Sequence, residues 1–449
     1  MMKLNAQNIA GVLLAEADQA GADAADAIVI DADSVEIEVR DGGLENVGRS
    51  EGAEVGLRVL IGCKQACVSG SDLRPETLRT MARAAVDMAQ AAPEDQFAGL
   101  ARSDQITEIH DVAALELADP AEPPALREME SMALQAEAAA LAVKGVAKTE
   151  SAAVGCGRQS VHLAASNGFQ GSYERSSVSA SCAAISGSGL EMEVDYCFES
   201  RVFLLDLPDC ETIGRCAGER AAARAGSTRP PTGAFPVLFD ERVSSTLVGH
   251  LLSAVNGTAV ARGSSWLLDA MGEQVLPPGT ELSEDPLLPR SGSSRPFDAE
   301  GLPVRNRRIV SDGRLQSWTL DLATARKLGL QSTGNASRGV GSAPSPGVTN
   351  IRFPDGTKSR AELVEEMGTG LIVTSLIGST INPTTGDYSR GASGFWVENG
   401  YITRPVSEFT IAGNLRKFLK TVIPADDSRP FRKFRVPSLL VEGLTVAGG

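Results

Sequence analysis

Apolar residues recur every three to four positions at the start of the chain, with Ile9, Leu13 and Ala17 on one stripe and acidic residues opposite, so the spacing predicts a helix over roughly the first 20 residues. Alternation then replaces it. Val35, Ile37 and Val39 interleave with Glu36, Glu38 and Arg40, GGLENVG turns the chain, and Ala53–Ile61 and Gln65–Gly70 read as further strands. A second helix starts near Pro75, a favoured first-turn residue, and carries Leu78, Met81, Ala85 and Met88 on its apolar side as far as Pro93. A third follows Pro123-Pro124 through Leu126, Met129, Ala133 and Leu141. The Ser-, Ala-, Val- and Gly-rich stretch from Val146 to Arg201 reads as a strand meander, with Ser166-Asn167-Gly168 turning one strand into the next. A helix around Asp209–Ala225 closes this half, and the turn-rich GSTRPPTGAF run that follows marks the expected domain boundary.

Past the boundary the pattern changes to short strands between Gly- and Pro-rich turns. Strands are expected at Arg308–Ser311, Gln316–Leu320, Gly370–Ser375, Gly394–Glu398 and Glu408–Ile411, with a helix at Ser359–Gly368. The proline-rich, weakly periodic stretch Leu276–Arg307 is long for a loop inside a folded domain, which suggests a lid, a partner contact or a substrate wall. The expected fold class is α+β in two domains. Residues 1–226 would form a helix and antiparallel-sheet domain, and residues 227–449 a mainly β, barrel-like domain.

With 42% apolar residues in 449, the chain can build real cores. No apolar run reaches the ~18 to 20 residues needed to cross a bilayer, and the seven cysteines, odd in number and without C-x-x-C spacing, suit free thiols in the cytoplasm. A net charge of −15 opposes binding to nucleic acid, whose affinity comes from clustered Lys and Arg. The one basic cluster, RPFRKFR at Arg429–Arg435, reads as a solvated loop or a subunit contact.

Candidate chemistry centres on FPVLFDERVSSTLVGHLLSAVNGTA, from Phe235 to Ala259, a short apolar strand followed by a helix that Asp240-Glu241 would cap. It holds Ser245, Thr246 and His250, one of only three histidines beside His110 and His162. Nothing in the chain matches G-x-S-x-G, and Ser245 and His250, five apart on a helix, are poorly spaced for a Ser-His dyad. In STGNASRGVGSAPSPG, Asn335 could hydrogen-bond an extended backbone and Arg338 could meet a peptide carboxylate, the alternative being a tight glycine turn. The stretch has no phosphate-binding P-loop spacing.

These residues resemble the TldD/PmbA family, whose TldD branch carries H-E-x-x-x-H on the corresponding helix. Here the six positions read S-T-L-V-G-H: Ser245 stands at the first ligand, Thr246 at the Glu, and His250 alone survives. DAEGLP (Asp298–Pro303), TARKLG (Thr324–Gly329), STGNASR (Ser332–Arg338), NPTTGDYSRGASGFWVENG (Asn382–Gly400) and EFTIAGNL (Glu408–Leu415) extend the resemblance, the last two toward the PmbA branch, also called TldE. Together with EVRDGGLENVGRSEGAEVGLRV they spread it over nearly the whole chain. A hydrolytic zinc needs about three protein ligands and a nearby carboxylate. One imidazole cannot supply that, and the C-terminal cysteine that completes the site in the TldD branch is absent, since all seven lie between Cys63 and Cys216. Positions five apart on a regular helix diverge by roughly 140°, so a bulge or helix end near Gly249 would be needed to bring two such ligands together.

The resemblance implies a subunit without catalytic residues or a metal of its own, assembled with a TldD-like subunit that carries zinc. The implied substrates are unfolded or short polypeptides, gripped by strand-rich walls. Two readings remain open beside it: an independent metallopeptidase using His250 with unrecognised ligands, and a non-proteolytic, homodimeric peptide-binding protein. Family members have been called modulators of DNA gyrase, but the acidic charge argues against direct contact with nucleic acid. Neither a membrane nor a further cofactor is implied.

Overall fold

The computed structural model of the chain describes residues 5–108 and 111–449, with all their side chains except those of Leu190, Ser379 and Thr380. His110 lies outside them. The first half consists of α1 (Ala6–Ala20), β1 (Ala24–Arg40), β2 (Gly43–Ile61), β3 (Lys64–Gly70), α2 (Pro75–Ala91), α3 (Leu126–Leu141), β4 (Val146–Ala165), β5 (Gln170–Ser186), β6 (Glu193–Arg201) and α4 (Cys210–Ala223). The six strands form one antiparallel sheet in the order β3-β2-β1-β4-β5-β6. Each half of that sheet is three consecutive strands flanked in sequence by two helices, and the halves join through β1 and β4, so the domain is a helix–three strands–helix unit used twice. Each unit has its own core. Leu13, Val29, Leu57, Leu78 and Ala85 pack beneath α1 and α2, and Ile37, Met129, Val154, Cys182 and Ile213 beneath α3 and α4.

Helices α3 and α4 approach closely because small residues face each other. A Cβ on Gly214 would lie 1.9 Å from the Ala136 carbonyl oxygen, so there is no room for one. Gly214→Ala is expected to force the helices apart at a cost of about 2–3 kcal/mol. It should lower the urea midpoint and leave the denaturant slope unchanged, whereas a midpoint equal to wild type would refute this packing.

The second half opens with β7 (Gly233–Phe239) and α5 (Glu241–Ala254). β7 pairs in parallel with Gly370–Ile381 and antiparallel with Leu439–Ala447. Asp387–Glu398 and Tyr401–Asn414 continue the sheet, and Tyr401–Asn414 then pairs with Leu439–Ala447, which closes a five-stranded barrel. Val237 and Phe239 point into a core shared with Leu247 and Leu251 of α5 and with Tyr388 and Trp396. Leu238, on the opposite face of β7, packs with Leu363 and Met367 of the helix Arg360–Met367. A second, smaller sheet unites Arg314–Leu315, Arg307–Ser311, Leu282–Glu284, Ile351–Arg352 and Phe434–Arg435.

Two expectations change. Gln316–Leu320 is not a regular strand: the short strand is Arg314–Leu315, and only an isolated bridge joins Thr319 to Asn256. The stretch 276–307 is not a free lid. Phe297 stacks edge-on against Phe169 and Tyr173 of the first domain, with ring centroids 5.1 and 5.5 Å away, and Arg175 donates to the carbonyls of Gly292 and Ser294. Buried Asn350 bonds Ser291 and Ser294 from within. The two halves also meet at Gly56, where a Cβ would lie 1.9 Å from the Val340 carbonyl oxygen.

Candidate functional site

β7 delivers the chain to Asp240, whose side chain caps α5 by accepting from the Arg242 amide at 3.3 Å. The helix then runs unbroken to Ala254. Gly249 therefore introduces no bulge, and Ser245 and His250 sit five positions apart on a continuous helix. Leu247, Val248, Leu251 and Leu252 turn inward. Ser245, Thr246, Gly249, His250 and Ser253 line an open groove of about 530 Å³, whose far walls include Val348, Arg390 and Phe434. The groove continues past His250 to Trp266 and Pro383.

His250 is the centre of this groove. Its ring meets Tyr388 edge-on, with centroids 6.0 Å apart. Tyr388 and Arg390 are two apart on one strand and so project from the same face. The His250 Nε2, the Tyr388 hydroxyl and the Arg390 Nε are buried without a hydrogen-bond partner. Burial, aided by the Arg390 charge, pushes the imidazole pKa down to about 4, and burial also raises that of Tyr388. Both groups are therefore neutral near pH 7. Thr246 turns its hydroxyl back onto the Val243 carbonyl at 2.6 Å, and Ser253 bonds Gly249 in the same way at 2.9 Å.

The groove has a second end. Ser245 and Phe434 also border a smaller basin of about 180 Å³ lined by Arg220, Arg242, Arg429 and Arg432. RPFRKFR is a solvated loop only in part: Pro430, Phe431 and Lys433 are exposed, but its first two arginines are held within the chain. Arg429 pairs with Glu199 and, at 3.3 Å, with Glu241, and Arg432 pairs with Glu199 at 3.3 Å. The run ties β6 to the start of α5. Arg220 and Arg432 also donate to the carbonyls of Tyr196 and Phe198, occupying acceptors of β6, the last strand of its sheet.

Asn335 and Arg338 lie elsewhere. Asn335 is buried and donates to both oxygens of Glu284, at 3.0 and 3.1 Å, and to the Gly347 carbonyl. Arg338, its side chain wholly buried, reaches into the first domain to pair with Asp26. Neither lines the groove. His162 is buried in β4, where desolvation lowers its pKa. The seven cysteines are free thiols.

The donors beside His250 do not fit a hydrolytic zinc. The groove offers neutral hydroxyls, an amide and a guanidinium, not the thiolates, imidazoles or carboxylates such an ion takes. Among the described residues no group of three or more His, Cys, Asp or Glu is placed to hold a metal ion. Ser245, Thr246 and His250 share one legible helix, whereas Tyr388 and Arg390 lie within the NPTTGDYSRGASGFWVENG stretch without a local signal, and the members of the arginine basin are scattered in sequence from 220 to 432.

The class of protein follows from comparison of this barrel and doubled sheet unit with known proteins. Three stretches match descriptions of the PmbA/TldA metallopeptidase: domain 1 over residues 25–89, the central domain over 118–225 and the C-terminal domain over 232–448. The first two correspond to the two halves of the six-stranded sheet. Metalloprotease PmbA of Escherichia coli O157:H7 is 34% identical over 427 residues, 95% of this chain and 92% of that protein. A PmbA homologue of Haemophilus influenzae is 34% identical over 90% of this chain and 88% of its own length. A crystal structure from Bacteroides thetaiotaomicron, described as a proposed modulator of DNA gyrase, superposes with a TM-score of 0.91 at 25% identity, covering 100% of each chain. TldE from Thermococcus kodakarensis shares the fold, with a TM-score of 0.83 at 20% identity over 98% of this chain and 100% of that one. The chain belongs to the PmbA/TldD metalloprotease family. Among the described residues no helix is long and apolar enough to cross a membrane.

Proposed function

We propose that this chain is the metal-free, PmbA/TldE-like subunit of a heteromeric, cytoplasmic metalloprotease, and that it furnishes a peptide-binding groove while a TldD-like partner carries the zinc. The observation that carries this reading is the environment of α5. The helix and its groove are intact, yet Ser245 and Thr246 offer hydroxyls where a metallopeptidase needs an imidazole and a carboxylate, and His250 is a half-buried, neutral ring. Short or unfolded polypeptides suit a groove lined by a helix on one side and strands on the other.

The test is hydrolysis of an unstructured polypeptide by this chain, by its TldD-like counterpart and by the mixture, with metal content measured on each. Activity confined to samples containing the counterpart, and raised by adding this chain, is the expected result. Chelator-sensitive activity with stoichiometric zinc on this chain alone would instead establish an independent metallopeptidase. Peptide binding by a stable homodimer that the counterpart never joins would make it a non-proteolytic binding protein.

A further inference from the structure

The arginine basin at the end of the groove has a composition that the fold alone does not require. In a chain of net charge −15, the described residues lining it include four arginines and one carboxylate, Glu241. Asp195 and Glu199 stand behind the wall with side chains 5% and 3% exposed. Adding these, Glu193, and the further arginines they hold, Arg201 and Arg224, gives six cations against four anions. Extending the network to Asp240 and Arg360 keeps the excess of two. The arginines crowd one another. Burial first and the Arg432 charge second lower the pKa of both Arg429 and Arg201. At Arg290, by contrast, a single guanidinium crossing between the halves meets two carboxylates, Glu116 and Asp206. A surplus of guanidiniums around an open cavity is an arrangement for an anion supplied from outside.

The rest of the basin narrows the choice of anion. Tyr196, Phe198 and Phe434 give it apolar walls, with Tyr196 and Phe198 62% and 43% exposed. Ser245 and Phe434 border both the basin and the groove, so a chain lying along α5 past His250 runs into the guanidiniums. At about 180 Å³ the space suits one residue rather than a folded partner. Planar guanidinium forks match a carboxylate, and aromatic walls match the stem that bears it.

We propose that the basin bounded by Arg220, Arg242, Arg429 and Arg432 is a carboxylate-binding subsite of the α5 groove, which receives either the C-terminal carboxylate or an acidic side chain of an extended polypeptide. This rests on the reading of the groove as a peptide channel. It assigns the subunit a part in substrate choice: acidic or free-ended peptides are anchored here while the remainder extends along the groove.

Binding of fluorescent, unstructured peptides to the full-length chain tests it by anisotropy. Four peptides of otherwise identical sequence are compared: a free C-terminal acid, its amide, and amidated forms with one internal Glu or Gln. A charge-assisted contact of this type predicts a preference of about tenfold for at least one carboxylate form over its neutral match, shrinking as salt is added. Acid against amide reports the terminus, and Glu against Gln the side chain. Glu241→Gln removes the carboxylate that competes for the arginines while keeping its shape, so the carboxylate peptide should bind severalfold tighter and the neutral one unchanged. Ser245→Glu should abolish the preference and Ser245→Gln retain it, which separates charge from bulk. Circular dichroism melts confirm that each variant is folded.

Equal, measurable binding of charged and neutral peptides, or no selective gain in Glu241→Gln, overturns the subsite and leaves the peptide groove standing. Displacement of both peptides alike by inorganic phosphate, without carboxylate preference, also overturns it and identifies an unspecific anion site. Failure of every peptide to bind, to this chain or to its complex with the TldD-like counterpart, removes the groove reading and the subsite with it.

Discussion

Asp26→Ala is expected to lower the unfolding free energy by about 3–5 kcal/mol, the range for removing one partner of a buried ionic cluster. Asp26 lies directly opposite Arg58 on the neighbouring strand, and one of its carboxylate oxygens accepts from Arg58 Nε at 2.7 Å. The other oxygen takes Arg338 from the second domain. The side chains of Asp26, Arg58 and Arg338 are 4%, 4% and 0% exposed. Alanine leaves two buried guanidiniums without the carboxylate that pairs them, and it removes the ion pair that helps hold the 336–340 segment to the sheet. Replacing all three residues with apolar side chains of similar volume should cost less than Asp26→Ala alone, because the expense lies in the orphaned charges. The cluster also predicts acid sensitivity. Burial by itself would raise the Asp26 pKa, but Arg58 and Arg338 outweigh it and hold the group below its ordinary 3.8. A depressed carboxylate pKa means that its stabilisation is complete above the unfolded value and is lost as pH falls below about 4. Urea unfolding at neutral and acid pH measures both effects; a loss under about 1 kcal/mol for Asp26→Ala at pH 7 would show that the cluster is not holding the domains.

The second large effect belongs to His250. Its folded pKa is near 4 while the unfolded chain titrates near 6.5, so on acidification the unfolded state takes up the proton first. Stability therefore falls as pH drops from 6.5 toward 4 and levels off below that. A shift of that size corresponds to about 3 kcal/mol, which contact of the ring with groove water reduces to about 2 kcal/mol. His250→Phe keeps a ring beside Tyr388 and has no proton to gain. Across this window the variant should lose about 2 kcal/mol less than the wild type, and His162, also shifted downward by burial, cancels in the comparison. Parallel stability curves for the two proteins would mean that His250 is solvated and free to charge.

What the sequence reveals about this fold depends on how each part is stabilised. The helices α1, α2 and α3 and the β4–β5 hairpin follow periodicity and turn chemistry, and their expected positions agree with the structure within a few residues. Strand β2 was legible only in its second half. Gly43–Gly52 is largely exposed and carries no apolar alternation, and it is extended because β1 opposite dictates it. The short strand Leu282–Glu284 is hidden because it has a single core residue, Leu282, and its other buried position is polar: Glu284, 1% exposed, accepts from Arg307, Asn335 and Thr349. The same applies at the site. Ser245, Thr246 and His250 are adjacent on one helix and could be read as a set, whereas Asn335 and Arg338 looked available as polar residues among glycines. Their buried partners, Glu284 and Asp26, are more than 50 residues away in sequence. The arginine basin was out of reach for that reason, since no local pattern joins Arg220 to Arg432.

Closure of the barrel also sets a timetable for synthesis. β7 is made early in the second half, yet its antiparallel neighbour Leu439–Ala447 leaves the ribosome about two hundred residues later. Both sheet units of the first half can be complete by then, because their pairings lie between residues 24 and 201. Through that interval β7 exposes an edge, joined near its end by that of Tyr401–Asn414, and only Leu439–Ala447 covers both. The nascent chain thus carries a finished N-terminal half beside an unsealed one, and the interval before sealing is when chaperone capture or mispairing between neighbouring chains on a polysome would be most probable.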